Sequence, residues 1–383
     1  MRSPIPVTEF KQQVADWASK HIDYTVQVED INYALNNKRA ISFPETSQET
    51  DPLFGLPLPP QQQQGELNDH AYNQLRARYK APRKDWSLSA DCPNDLHGTI
   101  YNRLAEKYIE SKNGNKAKFL LRTRESEDDT KFDTVRAVLS DQYGIFDFVS
   151  YVEVFEKAQN FIDGTVNIYR PRLADEFSFF GVLNDIRFNA PDSGNGRAKD
   201  LRPGAWFYGS EIGTRGIGIA GAVYDLVCAN GQYTLNRNKD YYFYRTHRWI
   251  DTNLIERQVA TGLANAFKLS EKLSIAYIQS IDMPISNDEK DLKNLVNMFS
   301  SKYGLVKETA DNWLSSIKVE SSRYGRADDV RMADVLASGT ELAQTLNQKQ
   351  CEAVEQTCGT MLEELVINSN TNRSAFTDMV FND

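Results

Sequence analysis

Hydrophobic and polar positions alternate along this chain in three regimes, and their order predicts an α+β protein. Residues 8 to 38 have room for one or two short helices. Further on, Leu67, Tyr72, Leu75 and Tyr79 recur at helical intervals before Pro82, and "DLHGTIYNRLAEKYIES" reads as a second helix. The period then changes to two. "KAKFLLRTR" puts Lys118, Leu120, Arg122 and Arg124 on one strand face, "ESEDDT" makes a turn, and "TVRAVLS" returns with Arg136 beside Val138. The expected product is a hairpin with several arginines on one face. "GIFDFVSYVEVFEKAQN" reads as a helix, and from Val166 to Trp249 strands are punctuated by Gly, Pro and Asn. Beyond Asp251 the pattern is mostly helical, with a break at "SIDMPISNDEK". The expected architecture is one central, twisted antiparallel sheet flanked by helices, with a mostly helical C-terminal part.

Composition sets the divisions. "SFPETSQETDPLFGLPLPPQQQQG", with five prolines and a four-glutamine run, suits neither a helix nor a core. The expected plan is a helical segment over 1–41, a linker over 42–65, an α+β core over 66–290 and an acidic helical region over 291–383. No run approaches the roughly 18 apolar residues of a spanning helix, and the N-terminus lacks a secretory pattern. A cytoplasmic protein without membrane contact is therefore expected. Cys351 and Cys358 lie seven residues apart in a helical stripe with Val354, Met361 and Leu365, which predicts buried thiols, not a disulfide.

Net charge is −9, but it is unevenly placed. Residues 201–250 carry six Lys/Arg against three Asp/Glu, whereas residues 301–383 carry eight against thirteen.

Ready-made chemistry is scarce. Gly216, Gly218 and Gly221 stand in G-x-G-x-x-G order, but the stretch before them is polar, and "GAVYDLVC" after them alternates towards Asn230-Gly231, a hairpin signal. The glycines therefore read as places where a strand bends or another backbone comes close. Cys92 with His97 lacks two further zinc ligands, the acidic turn Glu125–Asp129 reads as solvated, and the hydrolase, P-loop and zinc-protease motifs are absent. No cofactor and no metal is expected.

"NRNKDYYFYRTHRWI" carries the sharpest signal. As a strand it places Tyr242, Tyr244, Thr246 and Arg248 on one face and Tyr241, Phe243, Arg245, His247 and Trp249 on the other. Rings can stack unpaired bases while cations neutralise phosphates. The plain alternative is a strand burying one aromatic row and snorkelling its arginines. Arg122, Arg124, Arg136, Arg170, Arg172, Arg187 and Arg215 lie on or near other expected strands, where arginine is costly unless one face is solvated or covered by ligand.

The blocks "LNDHAYNQLRARYKAP", "LLRTR", "VRAVLSDQYGIFDF" and "YDLVCANG" together resemble the phage/plasmid-like proteins that carry a domain of unknown function widespread in bacteriophages and mobile elements. The likeness spans roughly residues 65 to 290 and implies a phage-type intracellular setting without catalytic residues. Joined to the arginine pattern, it gives the expected function: a single-stranded nucleic-acid-binding protein, with DNA as first ligand and RNA open, acting by phosphate neutralisation and base stacking. Homo-oligomers and strand annealing fit this reading, as does a protein partner on the acidic C-terminal region. The expected contacts are Arg122, Arg124, Arg136, Arg170, Arg187, Arg215, Arg237, Lys239, Tyr242, Tyr244, Arg245 and Arg248. A phage structural or host-takeover protein binding a protein partner is the competing class, and a nucleotide-acting enzyme the third. Where the arginines point separates the first two, because a groove gathers them and a structural sheet scatters them into ion pairs.

Overall fold

Two β-sheets, where the alternating pattern suggests one, organise the chain. The computed structural model describes residues 4–33, 39–44, 62–81, 93–112, 117–128, 131–160, 162, 164–190, 199–226, 230–234, 242–248, 252–285, 288–323 and 329–369. In chain order the first elements are β1 (Ile5–Pro6), α1 (Val7–Ala18), β2 (His21–Gln27), β3 (Asn32–Tyr33), β4 (Ala40–Pro44), β5 (Gln62–Leu67), α2 (Asp69–Arg78), α3 (Asn94–Ser111), β6 (Lys118–Arg124), β7 (Asp133–Ser140) and α4 (Phe148–Gln159). There follow β8 (Val166–Arg172), β9 (Glu176–Leu183), β10 (Phe188–Ala190), β11 (Lys199–Ser210), β12 (Ile217–Asp225), β13 (Asn230–Tyr233), β14 (Tyr242–Arg245), α5 (Thr252–Ile281), α6 (Glu289–Tyr303), α7 (Lys307–Arg323), α8 (Met332–Ala343) and α9 (Gln348–Ser369). The α+β class holds, with a helical C-terminal part.

The smaller sheet has the order β2-β6-β7-β5-β4-β3, antiparallel except where β5 runs parallel to β7. Its core gathers Tyr24, Phe43, Leu75, Tyr101, Phe119 and Val138 under α2 and α3. The first 41 residues are therefore not a helical segment apart. Only α1 is the expected helix, while "HIDYTVQ" alternates and forms β2 against β6. The proposed linker is strand at both ends: Pro44 pairs with Gln62 and Ala40 with Glu66, and Phe43 is buried. Residues 45–61 lie outside the described residues.

The larger sheet runs β1-β8-β9-β11-β12, with β13 and β14 meeting different parts of β12. One face packs Phe155, Phe179, Phe207, Ile217 and Ile219 beneath α1, α4 and the first half of α5. On the other, Trp206 stacks on Tyr208 and Tyr233 in a cluster that also holds Tyr224, with α9 against β13. The second half of α5 shares a core with α6 to α9 and with Leu201 and Val223 of the sheet, so the acidic helices are built onto it. Cys351 and Cys358 are buried free thiols in that core.

Gly218 and Gly221 sit on β12 and Gly216 immediately before it, with no helix opening at them. A Cβ at Gly218 would fall 2.3 Å from the Tyr208 ring, and one at Gly221 would fall 2.9 Å from the Ala266 carbonyl oxygen of α5. Close approach of another ring and another backbone explains these glycines. Asn230-Gly231 is not the turn itself, since Asn230 already pairs with Asp225 and Gly231 with Tyr224.

Candidate nucleic-acid interface

The arginines expected to form one basic surface divide into two classes. Arg122 and Arg136 on the β6–β7 hairpin are 1% exposed and lie where the two sheets meet. Arg122 donates to Asp23 (2.9 Å), Asp147 (2.7 Å) and the Glu211 carbonyl (2.8 Å). Arg136 falls at the register skip between the Arg122–Ala137 and Thr123–Val135 pairs. A bulge re-aims its side chain, which reaches Asp175 (2.5 Å) and Glu211 (3.2 Å). Burial opposes the Arg122 charge, but Asp147 and Asp23 outweigh it and raise its pKa. Burial likewise pushes the Glu211 carboxyl up, and bonds from His21 and the Phe148 N–H, with both guanidiniums beside it, leave it lowered. These are interior ion pairs.

The arginines on β8 and beside β10 and β12 are paired too. Arg170 binds Glu355 and donates to the Cys351 sulfur, Arg172 lies 3.8 Å and Arg215 3.3 Å from Glu352, and Arg187 is 3.1 Å from Asp200. Arg215 also lies over the Trp206 and Tyr208 rings. Arg124 donates to His21 and covers Trp17. As phosphate contacts, Arg122, Arg136, Arg170 and Arg215 are corrected: each is held by acidic or carbonyl oxygens from distant parts of the chain, two of them on α9. Arg124, Arg172 and Arg187 are already partnered, though less buried.

Around β14 the picture differs. Tyr244 is 48% exposed, and Arg245, Arg248 and, on α5, Arg257 have no carboxylate partner among the described residues. β14 lies against α5 because Gly262 leaves room for Phe243, whose Cβ would be 2.6 Å from a Cβ at that position. Between strand and helix runs a groove of about 330 Å³ lined by Phe243, Tyr244, Arg245, Arg257, Gln258, Thr261, Gly262 and Asn265. Among the described residues its lining holds two guanidiniums, three neutral polar side chains, two rings and no carboxylate. Strand alternation puts Arg245 on the Phe243 side facing α5 and Tyr244 on the other. Tyr244 lies across Gly216, where a Cβ would meet its ring at 2.9 Å. Tyr242 belongs to β14 by its backbone, while Arg237 and Lys239 lie outside the described residues.

The end of this strand is pinned from inside. His247 stacks on Tyr143 (4.7 Å, 11°), its carbonyl accepts from the Gly144 N–H (2.5 Å), and Arg248 bridges to Tyr143. Tyr143 in turn donates to the carbonyls of Ser210 and Glu211, so the groove is braced on the buried ion-pair cluster. Burial lowers the His247 pKa to about 4, against the Gly144 carbonyl and with help from Arg122. A depressed histidine pKa means that the fold favours the neutral ring. Its contribution is complete above the unfolded value near 6.5 and disappears as pH falls through about 4. Urea denaturation between pH 7 and pH 4 is expected to show a loss of up to about 3 kcal/mol that His247→Phe lacks. Equal losses in the two proteins would contradict this role.

The strand half of the groove is readable in the sequence. The helix half, Arg257, Gln258, Thr261 and Asn265, was missed. Gly262 inside a 30-residue helix is the signal for it, because an interior helical glycine marks close packing. Comparison with family models, curated proteins and solved structures finds no match among any of them. Among the described residues no helix is long and apolar enough to cross a membrane.

Proposed function

We propose that the groove between β14 and α5 binds single-stranded nucleic acid, with Arg245, Arg248 and Arg257 neutralising phosphates and Tyr244 stacking a base. In the setting that the sequence resemblance implies, a bacteriophage or mobile element, such binding serves replication, recombination or early transcription. The observation that supports this reading is the contrast in pairing: arginines elsewhere on the sheets have acidic or polar partners, and those beside the exposed tyrosine have no carboxylate among the described residues. A single strand suits the site because both strand-side groups that it needs are present, an accessible ring and cations on either wall. No bond is made or broken.

Fluorescence anisotropy with labelled oligothymidylate and oligouridylate tests it. The wild-type protein is expected to bind at about 50 mM salt, with affinity falling as salt rises. Arg245→Ala should weaken binding and flatten the log-log salt slope by roughly 0.7, one phosphate contact on a single strand. Tyr244→Ala should weaken binding by about 1 to 3 kcal/mol with the slope nearly unchanged, because stacking releases no counterions. A wild-type protein without affinity for either strand would overturn the reading in favour of a protein-binding surface.

A further inference from the structure

The smaller sheet ends on β2, which pairs with β6 and has no strand on its other side among the described residues. Two flanking hydrogen bonds set its ladder: the Glu125 N–H donates to the Lys20 carbonyl, and the Val28 N–H to the Ala117 carbonyl. Both continue the antiparallel register of the strand, so Ile22, Tyr24 and Val26 exchange their main-chain bonds with β6. The N–H and C=O groups of His21, Asp23, Thr25 and Gln27 therefore point to the open side, and no main-chain bond to them is found among the described residues. Thr25 is exposed, and so is Ile22, at 41%. A proline, a bulge or a lysine blunts many sheet edges, and "HIDYTVQ" has none of them. By contrast β3 and β1, at other edges of the two sheets, are two residues long.

We propose that β2 pairs antiparallel with β2 of a second copy of this chain, joining two smaller sheets about a two-fold axis. The strand is complementary to itself. With Tyr24 opposite its own copy, His21 stands opposite Gln27 of the partner subunit and Asp23 opposite Thr25 of the partner subunit, so the whole strand is matched and about eight main-chain bonds form. Exposed Ile22 then lies beside Val26 of the partner subunit, and no like charges meet. The register that sets Asp23 opposite its own copy would bring two carboxylates together. Charge at the two ends selects the same direction: exposed Lys20 precedes the strand, and exposed Glu29 and Asp30 follow it. Antiparallel pairing lays each Lys20 near Glu29 of the partner subunit, whereas parallel pairing would set lysine on lysine and glutamate on glutamate. Lys20 also meets Glu127 at 2.7 Å, a surface pair that uses one of its three donors. One strand pair with its flanking charges is a small interface, so assembly is expected at micromolar concentration.

Sedimentation velocity of the full chain from about 1 to about 100 μM at low salt tests this, and the wild-type protein is expected to shift from monomer to dimer. Thr25→Pro removes an outward N–H and leaves the β6 ladder whole, because an edge strand tolerates proline on its open side. It should raise the dimer dissociation constant by about tenfold or more. Lys20→Glu should weaken the dimer, and Lys20→Glu/Glu29→Lys should restore it, a rescue that only the antiparallel neighbourhood of the two residues produces. Thermal melting checks the fold of each variant, and if Thr25→Pro melts early, the charge exchange carries the test alone. A wild type that stays monomeric throughout, or a dimer indifferent to both Thr25→Pro and Lys20→Glu, would overturn the proposal.

Discussion

Glu211→Ala is expected to cost about 3 to 5 kcal/mol of folding stability, the range for breaking a buried ion pair from one side. Glu211 is 1% exposed, and its carboxylate and carbonyl serve several groups at once. Its carboxylate faces Arg136 and His21 and accepts the Phe148 N–H at the start of α4, and its carbonyl accepts from Arg122. Without it Arg136 keeps Asp175 and the Thr123 carbonyl, while its Nη2, already without a hydrogen-bond partner, lies in a poorer environment. Glu211→Gln keeps the shape and some hydrogen bonds and should cost less. Urea unfolding at pH 7 measures both. A loss below about 1 kcal/mol for the alanine variant would mean that the two sheets are joined by packing alone.

The second large effect belongs to Arg170 and Glu355. Glu355 is 2% exposed and burial pushes its carboxyl up, with Arg170 opposing. Arg170→Met leaves that carboxylate buried without its cation, so a loss of about 3 to 5 kcal/mol is expected near pH 8. The loss should shrink towards pH 5 as Glu355 takes up a proton. Arg170→Met/Glu355→Gln should recover most of it, because removing both members of a buried pair is often near neutral. Non-recovery would locate the cost elsewhere, the first candidate being the backbone of Arg170, which holds a left-handed φ of 49° at a β8 register shift. Either way, Arg170 acts on stability and not on a phosphate.

Elements with strong local periodicity were legible in the sequence. The α2, α3 and α4 helices, the β6–β7 hairpin and strands β8, β9 and β12 follow from spacing alone, as does the placement of the glycine trio on or beside β12, whereas β11, central in the larger sheet, was missed because its glycine-punctuated stretch reads as polar. The β2 strand was missed because "HIDYTVQ" follows directly on a helix and its partner β6 lies about a hundred residues on. The β4–β5 pairing was hidden by the prolines and glutamines between the strands. The arginines were legible as costly but not as paired. The carboxylates that hold Arg122 are 99 and 25 residues away, and those of α9 lie 137 to 185 residues from Arg215 and Arg170. Ion pairing over such separations depends on topology, which periodicity does not encode. At β14, by contrast, ring and cation stand side by side in the chain, and the structure added only the helix wall.

One panel tests the central claim, that the cations beside Tyr244, without carboxylate partners among the described residues, form the ligand surface and the paired ones do not. Labelled single strands are titrated at two salt concentrations against wild type, Arg245→Ala/Arg248→Ala/Arg257→Ala and Arg172→Ala/Arg187→Ala, each checked by thermal melting. Arg172 and Arg187 are chosen because their side chains, 36% and 55% exposed, can be removed at little cost to the fold. The account predicts that the triple variant loses affinity, with a log-log salt slope lower by about 2, and that the double variant binds like wild type. Equal losses in both variants, or wild-type binding that the triple variant retains, would contradict it.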